Sequence, residues 1–369
     1  MKVERERLLK TLDVAVVGTS PREILEQSNS FVFTDEHLIT FNGEIFTRVD
    51  NPLPEVRGAV PAEDFRQILH KFPDDMIEVF TKDGEVRIKG SRKQAGLTRQ
   101  KDIGLLYGDV PKPGDWSEPP PEFMGTILQA ARVCGRDDSQ PRTTEVHVTS
   151  KYVEASDSYR FFRCTMETGF DKELLIPAIS VNAVGSLAFE KVSVKGGWLH
   201  LRRRGGHRVS LRCSKGEYLP FDKIIQLKDP KKVRLPANLS EVLARAEVMQ
   251  DSGNDAMVSI RIEDGKLTLK AKKDTGWYEE SRDIKYSGER LSFDVNPAFL
   301  EEILTKTRTV RVSGSRMKIE AGDTIFIVCL DVERKEEDKE RRSPAGAPTK
   351  KRQDAASERR RKARHEEEE

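Results

Sequence analysis

Apolar positions along the chain switch several times between the period of a helix and the period of a strand. Leu8, Leu9, Leu12 and Val16 recur on one face of a helix predicted over residues 5–16. Phe65, Ile68, Leu69 and Phe72 give the clearest i, i+3, i+4, i+7 stripe, over residues 62–72. Further amphipathic helices are predicted over 121–134 (Phe123, Ile127, Leu128, Ala131), 178–188, 238–250 (Leu239, Val242, Leu243, Ala246) and 297–305 (Phe299, Leu300, Ile303, Leu304). Between them the period falls to two. Ile77-Glu78-Val79-Phe80 turns through Asp83-Gly84 into Val86-Arg87-Ile88-Lys89, and Val258–Ile262 turns through Asp264-Gly265 into Leu267–Lys270. Such alternation predicts half-buried antiparallel strands joined by tight hairpins.

A short phrase recurs: an apolar residue, Pro-Ala and a helix, then a charged hairpin. It reads Val60-Pro61-Ala62, Ile176-Pro177-Ala178 and Leu235-Pro236-Ala237, with a variant at Asn296-Pro297-Ala298. Hairpin turns are predicted at Asp83-Gly84, Gly196-Gly197 and Asp264-Gly265. Pro61, Pro177 and Pro297 are 116 and 120 residues apart, so the pattern predicts three similar domains, each with two helices and two small sheets. The boundaries expected are 1–112, 113–226 and 227–332, with linkers in the proline-rich stretch 108–121 and at 227–236. Repetition on this scale suggests a built object such as a ring or an arc rather than an enzyme with one active site.

Composition narrows the function classes. From Glu333 on, the chain holds 13 Lys/Arg and 11 Asp/Glu with almost no large apolar side chain, which predicts a disordered charged tail over 333–369. The remainder carries 51 basic and 51 acidic residues, so any nucleic-acid contact must come from local placement of charge rather than from a basic surface. No apolar run reaches the roughly 20 residues of a membrane-spanning helix, and the charged N-terminus is unlike a signal peptide. Cys134, Cys164, Cys213 and Cys329 form no CxxC pair, the pattern of reduced thiols in a cytoplasmic protein. The histidines have no metal-ligand spacing. No nucleophile, metal cluster or phosphate loop is legible, so neither an enzyme nor a cofactor is expected. A nuclease would need clustered carboxylates for metal ions, and the acidic clusters lie only in the tail and at Glu301-Glu302.

Several segments resemble one family in the correct order. Val3-Glu4-Arg5-Glu6-Arg7-Leu8-Leu9-Lys10, the Val60-Pro61-Ala62 segment, Leu243-Ala244-Arg245-Ala246, the stretch from Asp274 to Glu289 and Val295–Leu304 are similar to the bacterial DNA polymerase III beta subunit, the sliding clamp, cellular or viral. The resemblance covers about residues 1–331. It implies an α+β clamp fold of three domains, helices inside and antiparallel sheets outside, closing into a ring as a homodimer. Such a ring slides on double-stranded DNA of any sequence and serves a replicative polymerase, a clamp loader and other clamp-motif proteins. Contacts to phosphates are then non-specific and salt-dependent.

The resemblance also implies sites. Lys10, Arg66, His70, Lys71, Arg132 and Arg136 are expected to face DNA, with Arg22 and Gln140 in loops beside it. A hydrophobic site for short peptides is expected from Ser156, Tyr159, Arg160, Phe161, Leu219, Lys223, Ile224, Asn296, Phe299, Val328, Cys329 and Leu330. Subunit contacts are expected at Ala95, Gly96 and Leu97 and at Val248 and Met249. The chain departs from the family in its fourth helix, which has no basic residue, and in its last strand, Ile327-Val328-Cys329-Leu330. Each site residue also has a bland alternative, a solvated helix face or plain core. A clamp-fold protein that binds replication proteins without encircling DNA stands as the alternative function.

Overall fold

The computed structural model describes residues 1–137, 139–250 and 256–332; the segment 333–369, expected to be a tail, lies outside the described residues. Seven α-helices are found among the described residues: α1 (Arg5–Ala15), α2 (Ala62–Lys71), α3 (Phe123–Val133), α4 (Ala178–Ala183), α5 (Asp222–Ile225), α6 (Leu239–Ala246) and α7 (Pro297–Leu304). All six expected helices form. The fourth ends five residues early, because Val184 leaves the helical region and Gly185 follows in a turn, residues with low helix propensity. α5 is a single turn that no periodicity announced.

The chain divides into two compact units, Met1–Leu235 with Glu302–Cys329, and Pro236–Glu301 with the described residues from Leu330 on. The first unit holds three antiparallel sheets. A four-stranded sheet orders Lys2–Glu4, Met76–Lys82, Glu85–Lys89 and Gln94–Thr98. A seven-stranded sheet orders Lys191–Lys195, Trp198–Arg202, Arg208–Arg212, Ile45–Asp50, His37–Phe41, Ser30–Phe33 and Gly58–Pro61. An eight-stranded sheet orders Leu174–Pro177, Glu145–Val148, Tyr152–Ser156, Arg160–Thr165, Thr324–Cys329, Arg316–Ala321, Thr309–Ser313 and Lys231–Arg234. The second unit has one sheet, ordered Gly276–Asp283, Lys266–Lys273, Val258–Glu263 and Leu291–Val295.

Two sequence expectations change here. The segment 227–236 is not only a linker: Lys231–Arg234 pairs with Thr309–Ser313, burying Val233 between exposed Lys232 and Arg234. Its period of two was hidden between Pro230 and Pro236. The repeat is also assigned differently. α2, α4 and α7 follow Pro61, Pro177 and Val295-Asn296, whereas Leu235-Pro236-Ala237 precedes α6, the first helix of its pair. The hairpins after α2, α4 and α7 turn at Asp83-Gly84, Gly196-Gly197 and Gly314, so Asp264-Gly265 is not the third member of that series. Both residues of Asp83-Gly84, Gly196-Gly197 and Asp264-Gly265 have positive φ, as two-residue hairpins whose twist matches their strands require.

The helices lie on the sheets by their apolar stripes. In the first unit Phe65 of α2 meets Phe31 and Phe33 edge-on, each with ring centroids 6.3 Å away. The end of α1 is tied down by Thr40, whose hydroxyl donates to the Ala15 carbonyl at 2.6 Å. Gly18 follows, and a Cβ there would stand 2.4 Å from the Thr40 hydroxyl, so only glycine permits the approach. The other face of the seven-stranded sheet is covered by Ile103, Leu105, Tyr107 and Val110, which pack on Phe41, Phe46 and Trp198. His200 is fully buried on that face, with its Nδ1 2.8 Å from the Ser210 hydroxyl.

Two outcomes follow for stability. Phe65→Ala removes the centre of the aromatic cluster and is expected to destabilise the protein by about 3–5 kcal/mol, read as a lowered urea midpoint. Burial, then the charges of Arg208 and Lys195, lowers the pKa of His200 from 6.5 to about 4. The unfolded chain therefore takes up this proton first, and stability is lost as pH falls from about 6.5 towards 4. His200→Asn should flatten the thermal-melt dependence on pH within that window and leave it unchanged above.

Candidate functional site

The cations expected to face DNA do not stand equally free. Lys10 on α1, His70 and Lys71 on α2, Arg132 on α3, and Arg136 beyond it are exposed. Arg66 is half-buried and donates to Asp13 on α1 at 2.7 Å, with Glu63 3.7 Å away. Its charge is answered within the helix pair. His70 and Lys71 also close the last turn of α2, whose first turn carries Glu63 and Asp64, an arrangement that suits the helix dipole by itself. α4 offers no cation, and its Ile179 is 77% exposed. Arg22 is exposed in a loop built on Ser28, whose hydroxyl accepts from the Ile24 and Leu25 amides at 3.1 Å. Gln140 is exposed in the turn after α3, its amide donating to the Asp137 carbonyl. Glu302 of α7 is answered by Arg160 at 2.9 Å, so only one of the two acids on that helix is left open.

Arg160 is the centre of the region expected to bind peptides. Besides Glu302 it reaches Asp157 at 2.9 Å and the Arg132 carbonyl at 2.7 Å. Its strand pairs with Thr324–Cys329, setting Arg160 opposite Val328 and Phe161 opposite Ile327. Phe161 and Val328 are each 2% exposed and Ser156 is 5% exposed, so these three form a floor rather than a surface. Phe221 covers Phe161 with ring centroids 4.9 Å apart, and Tyr218, Ile224 and Ile225 complete the cluster. Exposed above this floor are Tyr159, Leu219, Lys223 and Cys329. The Cys329 amide donates to the Tyr159 carbonyl at 2.7 Å. Asn296, Phe299 and Leu330 belong to the second unit. There the Asn296 side-chain oxygen accepts from the Ala298 amide at 3.0 Å at the start of α7, Phe299 is half-buried and Leu330 is buried.

A buried polar network anchors the 217–226 segment from below. Glu154, 1% exposed, takes His147 Nδ1 at 2.8 Å and Arg163 at 2.6 Å. Arg163 continues to Asp222 at 2.7 Å, and the His147 ring lies on Tyr218 at 4.6 Å. The same segment borders a cleft of about 460 Å³ lined by Gln140, Arg142, Ser158, Lys215, Glu217 and Leu219 among others. Gln140 and Leu219, which the sequence assigned to separate sites, therefore share one cleft.

The expected subunit contacts lie on or beside strands that end their sheets among the described residues. Ala95, Gly96 and Leu97 occupy Gln94–Thr98, the last strand of its sheet. Val248 and Met249 form a turn of 3-10 helix after α6, where Val248 is 65% exposed and its carbonyl accepts from Lys273 at 2.6 Å. Met249 lies beside Gly276, the first residue of the edge strand Gly276–Asp283.

Residues 231–321 match the family described as DNA polymerase III beta subunit, C-terminal domain. Among solved structures, the DNA polymerase III beta subunit of Thermotoga maritima aligns with a TM-score of 0.77 at 17% identity, covering 90% of this chain and 99% of that one. The DNA polymerase sliding clamp of Bacillus subtilis gives 0.76 at 13% identity, and the beta subunit from DNA polymerase of Streptococcus pyogenes 0.73 at 20%, each with the same coverage. The chain has the sliding-clamp fold.

Within this clamp fold, two parts of the candidate sites were not found in the sequence. The edge strand Gly276–Asp283 carries Trp277, 63% exposed, and its alternating Trp277, Glu279, Ser281 and Asp283 was a readable signal of an uncovered strand. The His147–Glu154–Arg163–Asp222 network had no signal, since its members are scattered over 76 positions. No helix among the described residues is long and apolar enough to cross a membrane. Arg160→Ala strands Asp157 and Glu302 together and is expected to cost about 2–4 kcal/mol. Arg160→Lys should recover only part of that, because an ammonium cannot reach three acceptors as the planar fork does; urea unfolding of both variants checks this.

Proposed function

We propose that this chain is a DNA sliding clamp, a non-catalytic processivity factor that closes with a second copy into a ring around duplex DNA. The supporting observation is the state of the sheet edges. Within the first unit two wide sheets arise where smaller sheets pair edge to edge, Arg160–Thr165 with Thr324–Cys329 and Arg208–Arg212 with Ile45–Asp50. Among the described residues, Gln94–Thr98 and Gly276–Asp283 each end a four-stranded sheet with one side unpaired. Pairing each with the other edge in a second copy would give two more sheets of eight strands, as wide as the chain's own largest. Uncovered edges are otherwise a liability, and a closed ring removes both.

In this ring Lys10, His70, Lys71, Arg132 and Arg136 give the pore its non-specific phosphate contacts, with Arg22 and Gln140 at its rim. The cations are few and Arg66 is neutralised by Asp13, so affinity should be low with a shallow salt dependence. Residence on DNA then comes from topology. Tyr159, Leu219 and Lys223, with the floor beneath them, form the landing surface for short peptides of a replicative polymerase, a clamp loader and other clamp-motif proteins. The expected domains 1–112, 113–226 and 227–332 are the three ring segments of each copy.

A clamp-fold protein that binds replication proteins without encircling DNA is the alternative, favoured by the uncharged α4 with its exposed Ile179. Native mass measurement separates the two. A ring predicts roughly twice the 41.9 kDa chain mass, association with nicked circular DNA in the presence of a loader, and release when the circle is cut. A monomer at micromolar concentration, or retention on linear DNA, would rule the ring out.

A further inference from the structure

The outer face of the seven-stranded sheet carries charge that neither ring closure nor the peptide region uses. Strand register places Lys191 opposite Arg202, Arg202 opposite Arg208, and Arg208 opposite Arg48. Four cations thus stand in one row across four adjacent strands. Like charges directly opposite destabilise a sheet, and here three such pairs follow one another. Among the described residues, no carboxylate forms an ion pair with any of the four. Glu44 and Asp50 lie only at the margins, where they act on Arg212 and on His37 and His207.

Arg48 sets one guanidinium nitrogen against the His37 ring, whereas the guanidiniums of Arg202, Arg208 and Arg212 are held in place without using their N–H groups. Arg202 lies over Trp116 at 4.8 Å, Arg208 over Phe46 at 4.8 Å and Arg212 over Trp198 at 5.2 Å. Stacking fixes each plane and leaves its donor edge unspent. The Nε atoms of Arg208 and Arg212 have no acceptor. In the adjoining row His200 is 0% exposed, and its Nε2 is without a partner while Nδ1 is engaged by Ser210. Ser193, opposite His200 and 3% exposed, likewise has an unpartnered hydroxyl. A buried polar group left unpaired costs free energy, so this set is organised for a ligand that accepts hydrogen bonds and carries negative charge.

We propose that this face is a phosphoryl-binding site, with Arg48, Arg202 and Arg208 gripping the oxyanion. Arginine forks match phosphate oxygens in pairs. An acidic peptide fits less well, because Phe46 and Trp198, 1% and 4% exposed, are buried under the guanidiniums and the 103–110 segment and leave no apolar slot for its side chains. The same burial removes base stacking, so a nucleic acid would be held here by its backbone alone. The row spans three inter-strand spacings, about 14 Å, enough for more than one phosphate.

The test is thermal melting of the full chain in sodium phosphate and in sodium chloride at equal ionic strength, with Arg48→Gln/Arg208→Gln and Lys89→Ala, an exposed cation of another sheet, for comparison. The native chain and Lys89→Ala should melt higher in phosphate. The double variant should melt higher than the native chain in chloride, since like-charge repulsion is relieved, and should lose the phosphate response. By calorimetry its phosphate affinity should fall at least about tenfold. A phosphate response retained in the double variant, or equal destabilisation of that variant in both salts, would overturn the site and leave the arginines a structural stack. Stabilisation by polyglutamate but not by phosphate would overturn it in favour of an acidic peptide. A short single-stranded oligonucleotide that displaces phosphate identifies a nucleic-acid backbone as the source, and one that does not identifies the free anion; the site stands in either case. None of these readouts depends on ring closure.

Discussion

Backbone pairing between strands distant in sequence is the constraint on which the structure depends. Arg160–Thr165 meets Thr324–Cys329, and Arg208–Arg212 meets Ile45–Asp50. Each contact joins two small sheets into one wide sheet that supports the helices. The C-terminal strands are thereby part of the first unit, although the sequence repeat counts them with the third domain. The two remaining four-stranded sheets have no such partner among the described residues.

Charge is placed with equal economy on the helical side. Arg66 is answered by Asp13, and Arg160 answers Glu302. Both pairs join different elements, so they fix geometry as much as they add energy, and both change the electrostatics of the helical faces they lie on. Apart from Lys10 in the middle of α1, the cations that remain are near helix ends or in turns. The outer face of the seven-stranded sheet is the opposite case, with like charges adjacent and unanswered. A neutral body therefore contains regions of very different local potential, which net charge does not reveal.

Much of this was legible in particular residues. The Phe65–Leu69 stripe announced α2, and Asp83-Gly84 announced its hairpin. Other features were not. Lys231–Arg234 was hidden by flanking prolines, and its strand exists because Thr309–Ser313 offers it a partner. Phe161 and Val328 look like pocket residues in sequence, but Phe221 and the sheet register bury them. Whether a side chain lines a floor or a surface depends on what a remote segment lays over it.

The sequence by itself determined the elements, their order and the threefold recurrence, because period and turn chemistry act over a few neighbouring residues. Tertiary structure alone decided which strands share a sheet, which cations are neutralised and which stand in a row. Those outcomes depend on register between segments far apart in the chain, and a one-residue change of register would place every side chain on the other face.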